Sequence, residues 1–119
     1  MRPPVGICVP VRYERCRDGD TVEVTLPKSD YIYAVRLADC WCPELREDCG
    51  IEAKEFAESV LEDAERVHLF VPLDGVNTNV LAALTTFDRI VGVLWVSPTK
   101  SLNEMLVEAG YATREKPPP

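Results

Sequence analysis

The sequence predicts a small α+β domain built on a closed antiparallel barrel of five strands, with one helix between strands three and four and a second helix after strand five. Three observations lead there. Apolar residues alternate at a period of two through much of the first 37 positions. The period becomes helical from Gly50, and short apolar runs at 67–71 and 90–96 then precede a capped helical segment.

Val5-Gly6-Ile7-Cys8-Val9 opens the first strand, and Val11 to Arg15 continues it towards the turn Arg17-Asp18-Gly19-Asp20, where Asp-Gly marks a tight reversal. Val22, Val24 and Leu26 alternate with Thr21, Glu23 and Thr25 in the second. Pro27-Lys28-Ser29-Asp30 turns the chain into the third, Tyr31 to Leu37. Asp39 to Asp48 has Pro43 and no period, and reads as a loop. Ala53, Phe56, Ala57, Val60, Leu61 and Ala64 then fall on one face of a helix from Gly50 to Arg66. Val67 to Val71 is a short strand stopped by Pro72, and Ile90 to Val96 is a more buried one. The insert between them, including 74–84, has no decisive period. Ser101 with Glu104 is a capping box, Leu102, Met105 and Leu106 are an apolar stripe, and Gly110 is the stop. This order of elements is that of the OB-fold, whose usual ligands are oligonucleotides and oligosaccharides. Residues 1–114 are read as one domain and 115–119 as a disordered Pro-rich tail.

Composition restricts function. The 119 residues carry 13 Lys and Arg against 20 Asp and Glu, a formal charge of -7, so the overall field does not attract polyanions and a nucleic-acid partner needs a local basic site. No run approaches the roughly 18 to 20 apolar residues that span a bilayer. The odd count of five cysteines has no regular spacing, and the N-terminus has no apolar run fit for export. The expectation is a monomeric, intracellular protein with no membrane partner, in a phage or mobile-element setting.

Six segments appear in order: Asp18-Gly19-Asp20-Thr21-Val22, Arg36-Leu37, Pro43-Glu44, Gly50-Ile51-Glu52-Ala53, Phe87-Asp88-Arg89, and Ser101 to Val107 with Gly110-Tyr111-Ala112. Together they resemble the staphylococcal-nuclease-like, or thermonuclease, family from about Val5 to Thr113. The resemblance implies a Ca²⁺-dependent endonuclease that hydrolyses phosphodiester bonds of DNA or RNA. Asp20 is then a metal ligand, Arg36 and Arg89 hold the scissile phosphate, and Glu44 activates the attacking water. Those residue types suit that chemistry. Guanidiniums and a hard cation neutralise charge that develops at phosphorus, and a carboxylate orients or deprotonates water. Cys42 matches a position that contributes a backbone carbonyl to the metal, and Phe87 and Trp41 stand where bases can stack.

The departures are informative. Trp41 stands where the family places a second metal carboxylate, and it offers no oxygen. Asp18 and Asp39 are the nearby candidates to complete the shell, for Ca²⁺ or another divalent cation. The alternative is a catalytically weak or inactive OB-fold module that binds nucleic acid or a protein partner. An enzyme should gather Arg36, Arg89, Glu44 and Asp20 round an open pocket, whereas a retired site should tie up the arginines with acids or pack Trp41 into the cavity. For Arg36 and Arg89 the bland reading is an ion pair, for Asp20 a turn cap, and for Glu44 a solvated loop residue. Cys40, Cys42 and Cys49 with His68 make a weaker case for zinc, since no second Cys-x-Cys pair is present.

Overall fold

The computed structural model describes residues 6–43, 49–72 and 90–115. Glu44, Phe87, Asp88 and Arg89, the 74–84 insert and tail residues 116–119 lie outside the described residues. Five strands, β1 (Gly6–Asp18), β2 (Thr21–Thr25), β3 (Ile32–Leu37), β4 (Val67–Pro72) and β5 (Ile90–Trp95), close a barrel in the order β1-β2-β3-β5-β4. Helix α1 (Gly50–Asp63) follows β3, and α2 (Leu102–Glu108) follows β5.

Strand β1 serves two sheets. Its first half pairs with β4, from Gly6↔Pro72 to Val11↔Val67, and its second half with β2, from Arg12↔Thr25 to Asp18↔Thr21. Register shifts between Tyr13 and Arg15 and between Cys16 and Asp18 mark bulges that bend the strand round the barrel wall. The expectation of a wholly antiparallel barrel is corrected: β3 and β5 run parallel, with Val35↔Ile90, Arg36↔Val91 and Leu37↔Gly92 opposed. The reason is parity. In a closed ring of five strands direction cannot alternate at every step, so one neighbouring pair must be parallel.

Val22, Val24, Val35, Leu37, Leu69, Ile90 and Leu94 fill the barrel, with Ala57 and Leu61 of α1 and Leu102 and Leu106 of α2 packed against them. The expected apolar face of α1 is the one that packs, although Phe56, Val60 and Ala64 are only half-buried at its edges. The helix ends at Asp63, short of Arg66, because Ala64 is already extended. Strand β2 departs from simple alternation: all five residues are buried. Long side chains from β1 cover its outer face.

Helix α2 begins with half of the expected capping box. Ser101 Oγ accepts from the Glu104 N–H at 3.2 Å, whereas the Glu104 carboxylate accepts from Arg114 Nη2 at 2.9 Å. Gly110, at φ 86°, supplies the left-handed stop. Within the helix the buried face includes Asn103, while Met105 is only half-buried. The Asn103 amide donates to the Ala38 carbonyl at 2.9 Å and the Gly92 carbonyl at 3.2 Å, and its oxygen accepts from the Leu94 N–H at 3.1 Å. One side chain thus fastens α2 to the end of β3 and to β5. Among the described residues no helix is long and apolar enough to cross a membrane.

Candidate functional site

Asp20 follows the β1–β2 turn, Arg36 lies near the end of β3, and Trp41 and Cys42 follow in the segment after it. Barrel register brings them together. Thr21 is opposite Arg36, and the Leu37 N–H donates to the Asp20 carbonyl at 2.9 Å. Gly19 matters here through close approach. A Cβ at Gly19 would lie 2.8 Å from Cys42 Sγ and 3.0 Å from the Ala53 Cβ, so its absence lets the Cys42 segment and α1 pack onto the turn.

The Asp20 carboxylate is buried and engaged. Oδ2 accepts from the Cys42 N–H at 2.9 Å and lies 3.6 Å from Arg36 Nη2, and Oδ1 is 3.4 Å from the Thr21 hydroxyl. Burial, reinforced by the hydrogen-bonded neighbour Asp18, pushes its pKa up to about 6 against the opposing pull of the Cys42 N–H and Arg36. Asp18 also accepts from the Asp20 N–H through Oδ1, at 3.1 Å. Asp39 lies in a different turn, the one after β3, where its φ is 49°.

Arg36 is held on several sides. Nη1 donates to the carbonyls of Leu37 and Cys40, the latter at 2.8 Å, and Nη2 faces Asp20. The guanidinium carbon lies 4.0 Å from the centroid of a Trp41 ring, in cation–π contact. Trp41 is itself anchored: its N–H donates to the Thr113 carbonyl at 2.8 Å, and its carbonyl accepts from the Thr113 N–H at 3.0 Å. Thr113, five residues past the end of α2, thus holds the Trp41 backbone, from which the indole reaches the arginine. Cys42 packs inward beside Cys40, and its thiol is held well above the ordinary range by the Cys40 hydrogen bond and by burial.

Ca²⁺ takes six to eight oxygen ligands. Asp20 offers oxygens that already accept from Cys42 and Thr21, with a guanidinium beside them, and Trp41 offers none. Among the described residues no group of three or more His, Cys, Asp or Glu side chains is placed to hold a metal ion. The described donors therefore do not fit a Ca²⁺ shell, and the Cys40, Cys42, Cys49 and His68 set is likewise not gathered. His68 lines a cleft of about 660 Å³ between the end of α1 and the outer face of β4 and β5, with Cys8, Arg66 and Trp95; none of its lining residues belongs to the Asp20–Arg36 cluster.

The geometry thus joins Asp18, Asp20, Arg36, Trp41 and Cys42, and leaves Asp39 in a separate turn. Sequence reasoning missed two supports of the cluster, Thr113 and Asn103. A polar residue three positions before Leu106 was the available signal for Asn103, since i and i+3 share a helix face. A family model described as Staphylococcal nuclease homologue matches residues 34–118, which include most of β3, both helices, β4 and β5. No curated protein matches the chain.

Proposed function

The chain belongs to the staphylococcal nuclease homologue family, and from that premise we propose that it is a nucleic-acid-binding barrel with little or no Ca²⁺-dependent hydrolysis. Membership by itself makes it a nuclease-like or nucleic-acid-binding module. The observation that carries the finer reading is the closed set Asp20–Arg36–Trp41. The carboxylate that the family resemblance assigns to metal is engaged by Cys42, Thr21 and Arg36, and the position assigned to a second carboxylate is an indole stacked on the arginine. A guanidinium 3.6 Å from the carboxylate competes with any divalent cation for the same oxygen. Trp41 and Arg36 instead form a pre-ordered aromatic and cationic pair, half-buried at Trp41 and with the Arg36 side chain 13% exposed, and a half-exposed aromatic ring beside a cation is what single strands meet in OB-folds.

The test is a cleavage assay on single- and double-stranded DNA and on RNA, with Ca²⁺, Mg²⁺, Mn²⁺ or EDTA, alongside binding of the same oligonucleotides. Binding that persists in EDTA, without metal-stimulated cleavage, is expected. Robust Ca²⁺-dependent cleavage by the purified protein would overturn the reading.

A second reading, the metal-dependent nuclease, has one observation in its favour: the carbonyls of Leu37 and Cys40 fix the Arg36 guanidinium beside Asp20, as a phosphate-holding arginine requires. In that reading Arg36 and Arg89 stabilise the phosphorane-like transition state and Glu44 activates water. Loss of cleavage in both Glu44→Gln and Arg36→Ala would support it, and undiminished cleavage in both would assign the activity to a contaminant.

A further inference from the structure

On the outer face of the barrel, next to the Asp20–Arg36 cluster, two arginines of β1 converge on one carboxylate of β2. Arg15 donates to Glu23 through Nε at 2.9 Å and Nη2 at 3.1 Å, and Arg17 donates to the same carboxylate through Nε. The bulges in β1 make this possible. They interrupt its register with β2 on either side of Arg15 and Cys16, and bring Arg15 and Arg17 over one position of β2 while Cys16 between them enters the core.

The exposures are opposite in kind. The Glu23 side chain is 5% exposed, whereas those of Arg15 and Arg17 are 70% and 51% exposed. An ordinary surface ion pair leaves both partners wet and mobile. Here a buried anion holds two solvent-facing guanidiniums side by side. Each arginine has five N–H donors, and the contacts with Glu23 use two groups of Arg15 and one of Arg17. The two cations exceed the single carboxylate by one charge, and Arg15 and Arg17 together hold Glu23 below the usual carboxylate range. Glu14, also on this face, has its carboxylate turned to the Thr25 hydroxyl at 3.0 Å.

Position gives the cluster a use. Glu23 is two residues from Thr21, the partner of Arg36, so Glu23 and Arg36 are diagonal neighbours on one sheet face, roughly 7–8 Å apart. We propose that Arg15 and Arg17, positioned by Glu23, form a clamp for one backbone phosphate of a single-stranded nucleic acid whose neighbouring segment runs towards the half-exposed Trp41. The inference rests on the nucleic-acid-binding reading above. The fork of an arginine suits a phosphate's paired oxygens, and the preformed pair loses little side-chain entropy on binding. Asp18 and the overall charge of -7 keep the interaction short-ranged.

Fluorescence anisotropy of a labelled oligothymidylate, over a salt series and in EDTA, tests this with the full chain. Arg17→Gln leaves Glu23 bidentately paired with Arg15 and so preserves the fold. It is expected to weaken binding about three- to tenfold and to make the slope of log affinity against log salt shallower by about 0.7, one phosphate's share on a single strand. The double variant Arg15→Gln/Arg17→Gln should weaken it further. Wild-type affinity and slope in Arg17→Gln, with the wild type binding, would overturn the clamp alone. Absence of binding by the wild type would overturn the clamp and the underlying reading together.

Discussion

At the residue scale the decisive side chain is Trp41. A carboxylate there would face a guanidinium and, with Asp20 and Asp18, begin an oxygen shell; the indole lends Arg36 an aromatic face instead. Trp41→Asp is therefore expected to raise Ca²⁺ affinity measurably by calorimetry, while removing the stacked ring costs about 1 kcal/mol or more of stability. No gain in Ca²⁺ binding would show that the rest of the shell is missing too. Asn103 is the second decisive residue. Its amide serves the Ala38 and Gly92 carbonyls and the Leu94 N–H, so Asn103→Ala takes a partner from the buried Leu94 N–H and the part-buried Ala38 carbonyl, while the Gly92 carbonyl keeps the Ala38 N–H. A loss of about 1–3 kcal/mol in denaturant unfolding is expected, the cost of one buried group left without its partner. Neither role is readable from a single position in the sequence, because each depends on partners distant along the chain.

At the element scale, the β1–β2 pair carries a pH signature. Glu23 is held below the usual carboxylate range by hydrogen bonds from Arg15 and then Arg17. A depressed acid contributes stability that is fully present above its unfolded value, about 4.3, and is lost as pH falls through the lower folded value. Wild type should thus exceed Glu23→Gln by about 1 kcal/mol near neutrality, a modest figure because both arginines are largely solvated. The gap should narrow as pH falls below the unfolded value and through the lower folded one in thermal melts at each pH; a gap that stays constant into strong acid would place the effect in packing rather than charge. In α2, Ser101→Ala removes the side-chain cap of the helix start, with an expected cost of about 1 kcal/mol. The Ser101–Glu104 pattern pointed correctly to that start. It could not show that Glu104 turns away, because the competing partner, Arg114, lies beyond the helix and meets it only after the chain folds back.

At the scale of the whole molecule, the ends of distant elements close the site. Thr113, past α2, makes a two-bond bridge with Trp41 in the segment after β3, and Asn103 fastens the same helix to Ala38. Ending the chain at Ala112 is expected to lower the melting temperature by several degrees and to loosen the indole over Arg36. In a Trp95→Phe background the emission of Trp41 should then shift to the red; an unchanged spectrum would show that stacking on Arg36 holds the ring without the bridge. Charge is also organised at this scale. Glu52, Glu55, Glu62, Asp63 and Glu65 are exposed along and just after α1, so much of the net charge of -7 is carried there, while Arg15, Arg17 and Arg36 stand on β1 and β3.

Local pattern and order determined the barrel and both helices, because periods of two and 3.6 report which face a segment buries, and the ordered motif segments carried the resemblance to the family. The motif residues Asp20, Arg36, Trp41 and Cys42 were legible through the resemblance of their segments to the family's, and the barrel register then brings the β1–β2 turn, the end of β3 and the segment after it together. The parallel closure of β3 on β5 follows from ring parity and so depends on the barrel being closed. Tertiary structure alone decided how the site residues are spent, with Asp20 taken by Cys42 and Thr21, Arg36 stacked under Trp41, and two arginines gathered on a buried Glu23. Those outcomes are competitions among donors and acceptors far apart in sequence, and only packing sets the distances that decide which partner wins.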